Sequence, residues 1–165
     1  MAKEQSFDVV SQVDLQEVDN AVQQAVKEIA QRYDLKDTGA TLSLDRKAAE
    51  LTLTAPSDFV LRQVKDVLAS KLVRRGIDLK ALSWGNVQSA SGGTVRVTAS
   101  IVNGIPDDVA RRISKDVRDL KRKVRVAIEG DKVRVFSASR DELQGVIAHL
   151  KAQDYGIPLQ FTNYR

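Results

Sequence analysis

The stretch V124RVAIEGDKVRVFSASRDELQGVIAHLK151 fixes the element types from which the rest of the chain can be read. Val124 and Val126 alternate with Arg125, and Val133 and Val135 alternate with Lys132 and Arg134. Alternation with period two marks a strand with one buried face, and E129GD131 between two such runs marks a hairpin, because glycine takes a positive φ without a Cβ clash. Ser139 then opens a helix that runs to about Lys151. Leu143, Val146 and Leu150 recur in it at steps of three and four and so share a face.

The same pattern occurs 82 residues earlier. A40TLSL44 and E50LTLT54 alternate about the polar turn D45RKA48, with Leu42, Leu44, Leu51 and Leu53 on one side. Leu51 and Leu53 correspond to Val133 and Val135, Ser57 to Ser139, and Leu61, Val64 and Leu68 to Leu143, Val146 and Leu150. The helix from Ser57 to Arg74 also counts Phe59, Val67 and Leu72 on its apolar face, and Gly76 is placed to end it. Before each hairpin stand a strand and a helix. In the first half these are F7DVVS11 and a helix from Asp14 to Tyr33, with Val18, Val22, Ala25, Val26 and Ile29 inward and a capping box from Asp14 to Glu17. In the second half they are V95RVTASI101 and a helix over 107–120, with Ile113, Val117 and Leu120 inward. I77DLKALSW84 and L159QFTNY164 supply a final strand to each half. Both halves therefore read β-α-β-β-α-β, and the predicted fold class is α+β. Tandem ferredoxin-like, RNP-like domains are expected, each an antiparallel sheet with two helices on one face and the other face open. The polar segment N86VQSASGG93 is expected to join them, giving a first domain over 1–87 and a second over 88–165.

Charge separates the halves. The chain of 165 residues has a formal net charge of +4; residues 1–87 contribute −1 and residues 88–165 contribute +5. Period two places Arg96, Arg125, Lys132, Arg134 and Phe136 on the open face of the second half, where guanidinium and ammonium groups suit phosphates and Phe136 suits a stacked base. The equivalent positions of the first half, Thr41, Ser43, Thr52 and Thr54, form a neutral hydroxyl-rich face. Cations on a sheet also serve to block unwanted edge pairing, so composition leaves both readings open. A second cluster lies in R111RISKDVRDLKRKVR125, where Arg111, Arg112, Lys115, Lys121, Arg122 and Lys123 are candidates for a backbone-binding stripe. It too has a plain alternative in solubility and helix-pole complementarity. The strand K132VRVF136 has one aromatic where the RNA-recognition consensus has several.

Several chemistries are missing from the chain. There is no cysteine and one histidine, His149, so thiolate nucleophiles, thiolate metal sites and histidine clusters are excluded. Neither phosphate-loop signature is present. Asp107 with Asp108, and Asp14 with Glu17, fit helix starts. A protein that is not an enzyme and needs no cofactor is expected. No apolar run approaches a membrane span, and MAKEQSFDVV lacks the character of a secretion signal, so no membrane association and a cytoplasmic location are expected.

S6FDVVSQVDLQEVDNA21, S57DFVLRQVKDVLASKLVRRGID78, S139RDELQGVIAHLK151 and Q160FTNYR165 resemble the YajQ family of small bacterial proteins, and the resemblance covers essentially the whole chain. It implies tandem ribonucleoprotein-like domains and a noncatalytic role in binding a nucleotide or RNA. It also implies an alternative role, that of an adaptor responsive to a cyclic dinucleotide such as cyclic di-GMP and acting through a regulatory protein partner; Phe136 or Trp84 would then stack on guanine. It carries no catalytic motif to these positions. Tandem small domains can exchange terminal strands, so the boundary near residue 88 is set in sequence and left open in space.

Overall fold

The computed structural model describes residues 3–165. Among these residues, nine strands and four helices follow in the order β1 (Gln5–Val10), α1 (Leu15–Gln31), β2 (Thr41–Asp45), β3 (Glu50–Ala55), α2 (Asp58–Arg74), β4 (Leu82–Trp84), β5 (Gln88–Ser89), β6 (Val95–Ile101), α3 (Asp107–Asp119), β7 (Arg125–Glu129), β8 (Lys132–Ser137), α4 (Arg140–Lys151) and β9 (Gln160–Thr162). Both hairpins form as the alternation requires. Ser57 and Ser139 cap their helices in the same way, their Oγ atoms accepting from the N–H groups of Val60 at 3.3 Å and Glu142 at 3.4 Å. Asp14 caps α1, while Glu17 reaches Arg75 at 3.1 Å instead of closing the capping box.

The chain does not divide at 87/88. One compact unit is contiguous, Val13–Val102, and the other is split, joining the chain up to Gln12 to Asn103–Arg165. In the split unit the sheet order is β7-β8-β1-β9; in the inserted unit it is β2-β3-β6-β4, with β5 also on β6. All pairings are antiparallel. Each half keeps its predicted element order, but the opening strands have changed places: β1 lies in the sheet of the second half and β6 in that of the first. N86–G93 is accordingly no interdomain linker, since it carries β5 and leads into β6 within the inserted unit.

Cross-strand partners supply the physical reason. β1 sets Phe7 opposite Val135, Asp8 opposite Arg134 and Val9 opposite Val133. At the equivalent positions β6 sets Val97 opposite Leu53, Thr98 opposite Thr52 and Ala99 opposite Leu51. With the strands exchanged back, Asp8 would lie opposite Thr52 with no cation, and Arg134 would face Thr98. A buried carboxylate without a positive partner is costly, so the observed pairing is the one that satisfies both sheets.

Two cores result. In the split unit Phe7, Val9, Ile113, Val117, Val133, Val135, Val146 and Leu150 are buried together between the sheet and α3 and α4. In the inserted unit Val18, Ala25, Leu51, Leu53, Leu61, Val64, Leu68 and Val97 are buried between the other sheet and α1 and α2. Val26 and Phe59, expected inward, are 43% and 66% exposed. Each sits at the margin of a helical stripe whose centre is already filled. Among the described residues no helix is long and apolar enough to cross a membrane.

Gly104 secures the return of the chain into the split unit. It adopts φ +95°, its N–H donates to the Ser11 carbonyl at 2.5 Å, and the next N–H, of Ile105, donates to the Asp131 carbonyl at 2.8 Å. A Cβ at Gly104 would lie 2.7 Å from an Asp131 carboxylate oxygen. Gly104→Ala is therefore expected to lower unfolding free energy by about 1–2 kcal/mol, from the positive φ and the displaced side chain together. Gly85→Ala, whose Cβ meets its nearest atom at an ordinary 3.5 Å, is the control and is expected to be near neutral. Urea midpoints of the full-length variants measure the difference.

Candidate nucleic-acid interface

The exchange of strands changes what the open faces carry. By compact unit, the split unit has 14 Lys/Arg against 11 Asp/Glu and the inserted unit 12 against 11, so −1 and +5 become +1 and +3. Arg96 belongs to the inserted unit, exposed between Thr54 and Gln88 on a face shared with Thr52, Thr98 and Ser100. It is therefore not part of the face that holds Arg125, Lys132, Arg134 and Phe136. Trp84 is on the helix-covered side of the inserted unit's sheet, beneath the Lys65 ammonium at 4.3 Å.

The remaining four predicted face residues are together on β7 and β8, but β1 adds a residue from the first half of the sequence. Asp8 is central on this face and only 3% exposed. Its carboxylate accepts from Arg134 Nε at 2.7 Å and Nη2 at 3.3 Å, and from Asn163 Nδ2 at 2.8 Å, with Lys132 Nζ at 3.6 Å. The Arg134 hydrogen bonds hold the Asp8 pKa below the usual aspartate value against the opposing effect of burial, with Asn163 and Lys132 assisting. Arg134 also contacts Glu129 at 3.1 Å. Arg125 pairs with Glu4 at 2.9 Å and lies 4.0 Å over the ring of Phe136. Three cations on this face thus meet three carboxylates, and Arg134 is enclosed in a structural network. The outermost pair, Arg125 on Phe136, offers a flat cationic surface for a base or a phosphate.

The cations of α3 are arranged differently. Arg111 and Lys115 are exposed on its outer side, away from the buried Val109, Ile113 and Val117. Arg118 continues their line at the next i+3 step and is exposed as well. With a rise of about 1.5 Å per residue, the Cα atoms of these three positions span about 10 Å along the helix. After α3 ends, Lys121 takes φ +53°, and Lys121 and Lys123 are exposed beyond it. None of these five side chains is ion-paired among the described residues. Two other members of the predicted cluster are engaged. Arg112 lies 5.2 Å over the ring of Tyr155, whose hydroxyl donates to Asp116 at 2.6 Å. Arg122 lies against Gly145 and within 3.7 Å of Glu142. Burial, assisted by the hydrogen bond to Asp116, raises the Tyr155 hydroxyl pKa and keeps it a neutral donor.

Arg118 was missing from the candidates, although its spacing from Arg111 and Lys115 signals the stripe. Asp8 was missing because its role depends on the strand exchange. Among the described residues no group of three or more His, Cys, Asp or Glu is placed to hold a metal ion.

Comparison with known proteins adds a relationship over the whole chain. The family model described as "Nucleotide-binding protein YajQ-like" matches residues 5–165. A protein named "Nucleotide-binding protein" from Desulfitobacterium hafniense is 51% identical over 165 residues, covering 100% of both chains. Its namesake from Desulforamulus reducens is 49% identical over 165 residues, covering 100% of this chain and 99% of the relative. Another of that name, from Acidithiobacillus ferrooxidans, is 49% identical over 160 residues, 97% of this chain and 98% of its own.

Proposed function

The chain belongs to the YajQ-like family of nucleotide-binding proteins, and from that membership we propose that it is a noncatalytic RNA-binding protein. Its phosphate contacts come from the split unit. The reading rests chiefly on one observation: Arg111, Lys115 and Arg118 form an exposed line, without ion pairs among the described residues, that Lys121 and Lys123 extend. Side chains one helical turn apart can meet successive phosphates of a single strand, and such contacts fix position without reading sequence. Arg125 stacked on Phe136 supplies an aromatic platform on the open face of the same unit's sheet.

We read each unit as a ferredoxin-like, RNP-type module. In the split unit β1, β7, β8 and β9 act as the first to fourth strands, in the spatial order second, third, first, fourth; in the inserted unit β6 takes the first-strand place. Lys132 and Arg134 serve this face by holding Asp8, which keeps β1 in register, while Arg125 remains at the rim.

Counterion release tests the reading. With four to five phosphates neutralised, the affinity for a labelled single-stranded RNA is expected to fall with salt at a log–log slope of about −3. Fluorescence anisotropy on protein freed of carried-over nucleic acid measures it. Absence of binding at low salt, or an affinity that salt does not change, would overturn the reading.

A further inference from the structure

A second feature of the split unit lies outside both the basic stripe and the network on Asp8. Between the start of β1, the first turns of α4 and the end of the chain is a cleft of about 280 Å³, lined by Gln5, Arg140, Leu143, Gln144, Tyr164 and Arg165. Its side is fixed by backbone: the Ser6 N–H donates to the Arg165 carbonyl at 3.2 Å, and the Arg165 N–H donates to the Ser6 carbonyl at 3.0 Å. Asn163 adopts φ +58° and turns its amide to Asp8, so the usual alternation along this last segment is interrupted. Tyr164 packs against Phe7 at a ring distance of 6.2 Å, yet remains 60% exposed.

The lining has three kinds of chemistry in one concavity. Arg140 is exposed and, among the described residues, has no carboxylate partner, unlike Arg122, Arg125 and Arg134 of the same unit. A free guanidinium next to a cleft suits a phosphate dianion, with two N–H groups directed to two oxygens. Tyr164 and Leu143 give an aromatic face and an apolar wall for a planar ring. Gln5 and Gln144 carry amides that both donate and accept, which is what the edge of a nucleobase requires. The volume lies just under the usual range of small-molecule pockets, roughly 300–1,000 Å³, and matches one nucleotide rather than two.

We propose that this cleft binds a nucleoside monophosphate, with the base on Tyr164 and between the glutamine amides and the phosphate on Arg140. The inference shares the nucleotide-binding reading above but uses different residues, so the two can fail separately. Calorimetric titration of the full-length protein with AMP, GMP, CMP and UMP, each beside its nucleoside and inorganic phosphate, tests it at moderate salt. Saturable binding of at least one monophosphate in the micromolar to low-millimolar range is expected. Arg140→Ala is expected to weaken the monophosphate about tenfold and to leave the nucleoside unchanged. Tyr164→Leu is expected to weaken both about tenfold. Both side chains are exposed, and an unchanged melting temperature shows that the variants are folded. No saturable monophosphate binding, or binding that neither variant alters, overturns the inference; in either case salt-sensitive RNA binding can persist on the stripe. Absence of RNA binding by the unmodified protein beside saturable monophosphate binding would instead overturn the stripe and leave the cleft standing.

Discussion

The segment Val13–Val102, produced alone, is expected to fold cooperatively, whereas fragments 1–87 and 88–165 are expected not to. The contiguous segment contains every strand of its sheet, β2, β3, β6 and β4, with β5, and both covering helices. Fragment 1–87 lacks β6, the strand between β3 and β4, and so loses Val97, Ala99 and Ile101 from its core. Fragment 88–165 lacks β1, the strand between β8 and β9, with the fully buried Phe7 and Val9. Each of the Val, Ile and Phe side chains contributes about 1.5–3 kcal/mol by burial, and domains of this size are stable by only about 5–15 kcal/mol. Loss of a central strand also leaves two strand edges unpaired. Fragment 1–87 could bring β1 into the vacant place only by setting Asp8 against Thr52, with no cation to receive it. Circular dichroism melts and amide NMR dispersion distinguish the outcomes. A folded 1–87 beside an unfolded 13–102 would show that the strands are not exchanged.

Asp8→Ala is expected to destabilise the full chain by about 3 kcal/mol, the scale for removing one partner of a buried ion pair. The substitution leaves Arg134 with Glu129 alone and deprives Asn163 of its acceptor. The pH dependence has a defined sign. Because the folded state holds Asp8 at a lowered pKa, its contribution is complete above the unfolded value, about pH 4. It is lost as pH falls through the lower folded value. Wild type is therefore expected to lose stability on acidification below about pH 4 more steeply than Asp8→Asn, which carries no titrating group there. Urea denaturation from pH 2 to pH 7 reads both effects. Equal acid slopes in the two proteins would remove Asp8 from its assigned role.

Local chemistry made most elements legible. The alternation of Val133 and Val135, the two serine caps and the three- and four-residue steps of α2 and α4 all depend on residues close in sequence, and all appear in the structure. The partner of an opening strand is different, because F7DVVS11 and V95RVTASI101 are both competent to fill either vacant place by apolar pattern alone. Choosing between them requires the register across the sheet, where Asp8 meets Arg134 and Thr98 meets Thr52. The same step separates the visible part of the candidate interface from the hidden part. Arg111 and Lys115 were legible because a helix displays them whatever its neighbours. Alternation put Arg134 on the open face but could not show its pairing with Asp8, because that carboxylate lies 126 residues away. Arg96 was grouped with it only because both alternate outward in the second half of the sequence.

Placement of the phosphate contacts is tested most directly by comparing salt slopes between units. In the combined variant Arg111→Ala, Lys115→Ala, Arg118→Ala, three of the proposed contacts are removed, and the slope for single-stranded RNA is expected to become shallower by about 2. Arg96→Ala, in the inserted unit, is expected to leave the slope as in wild type. A slope unchanged by the triple substitution, with a reduced slope in Arg96→Ala, would place the contacts in the inserted unit and contradict the assignment made here.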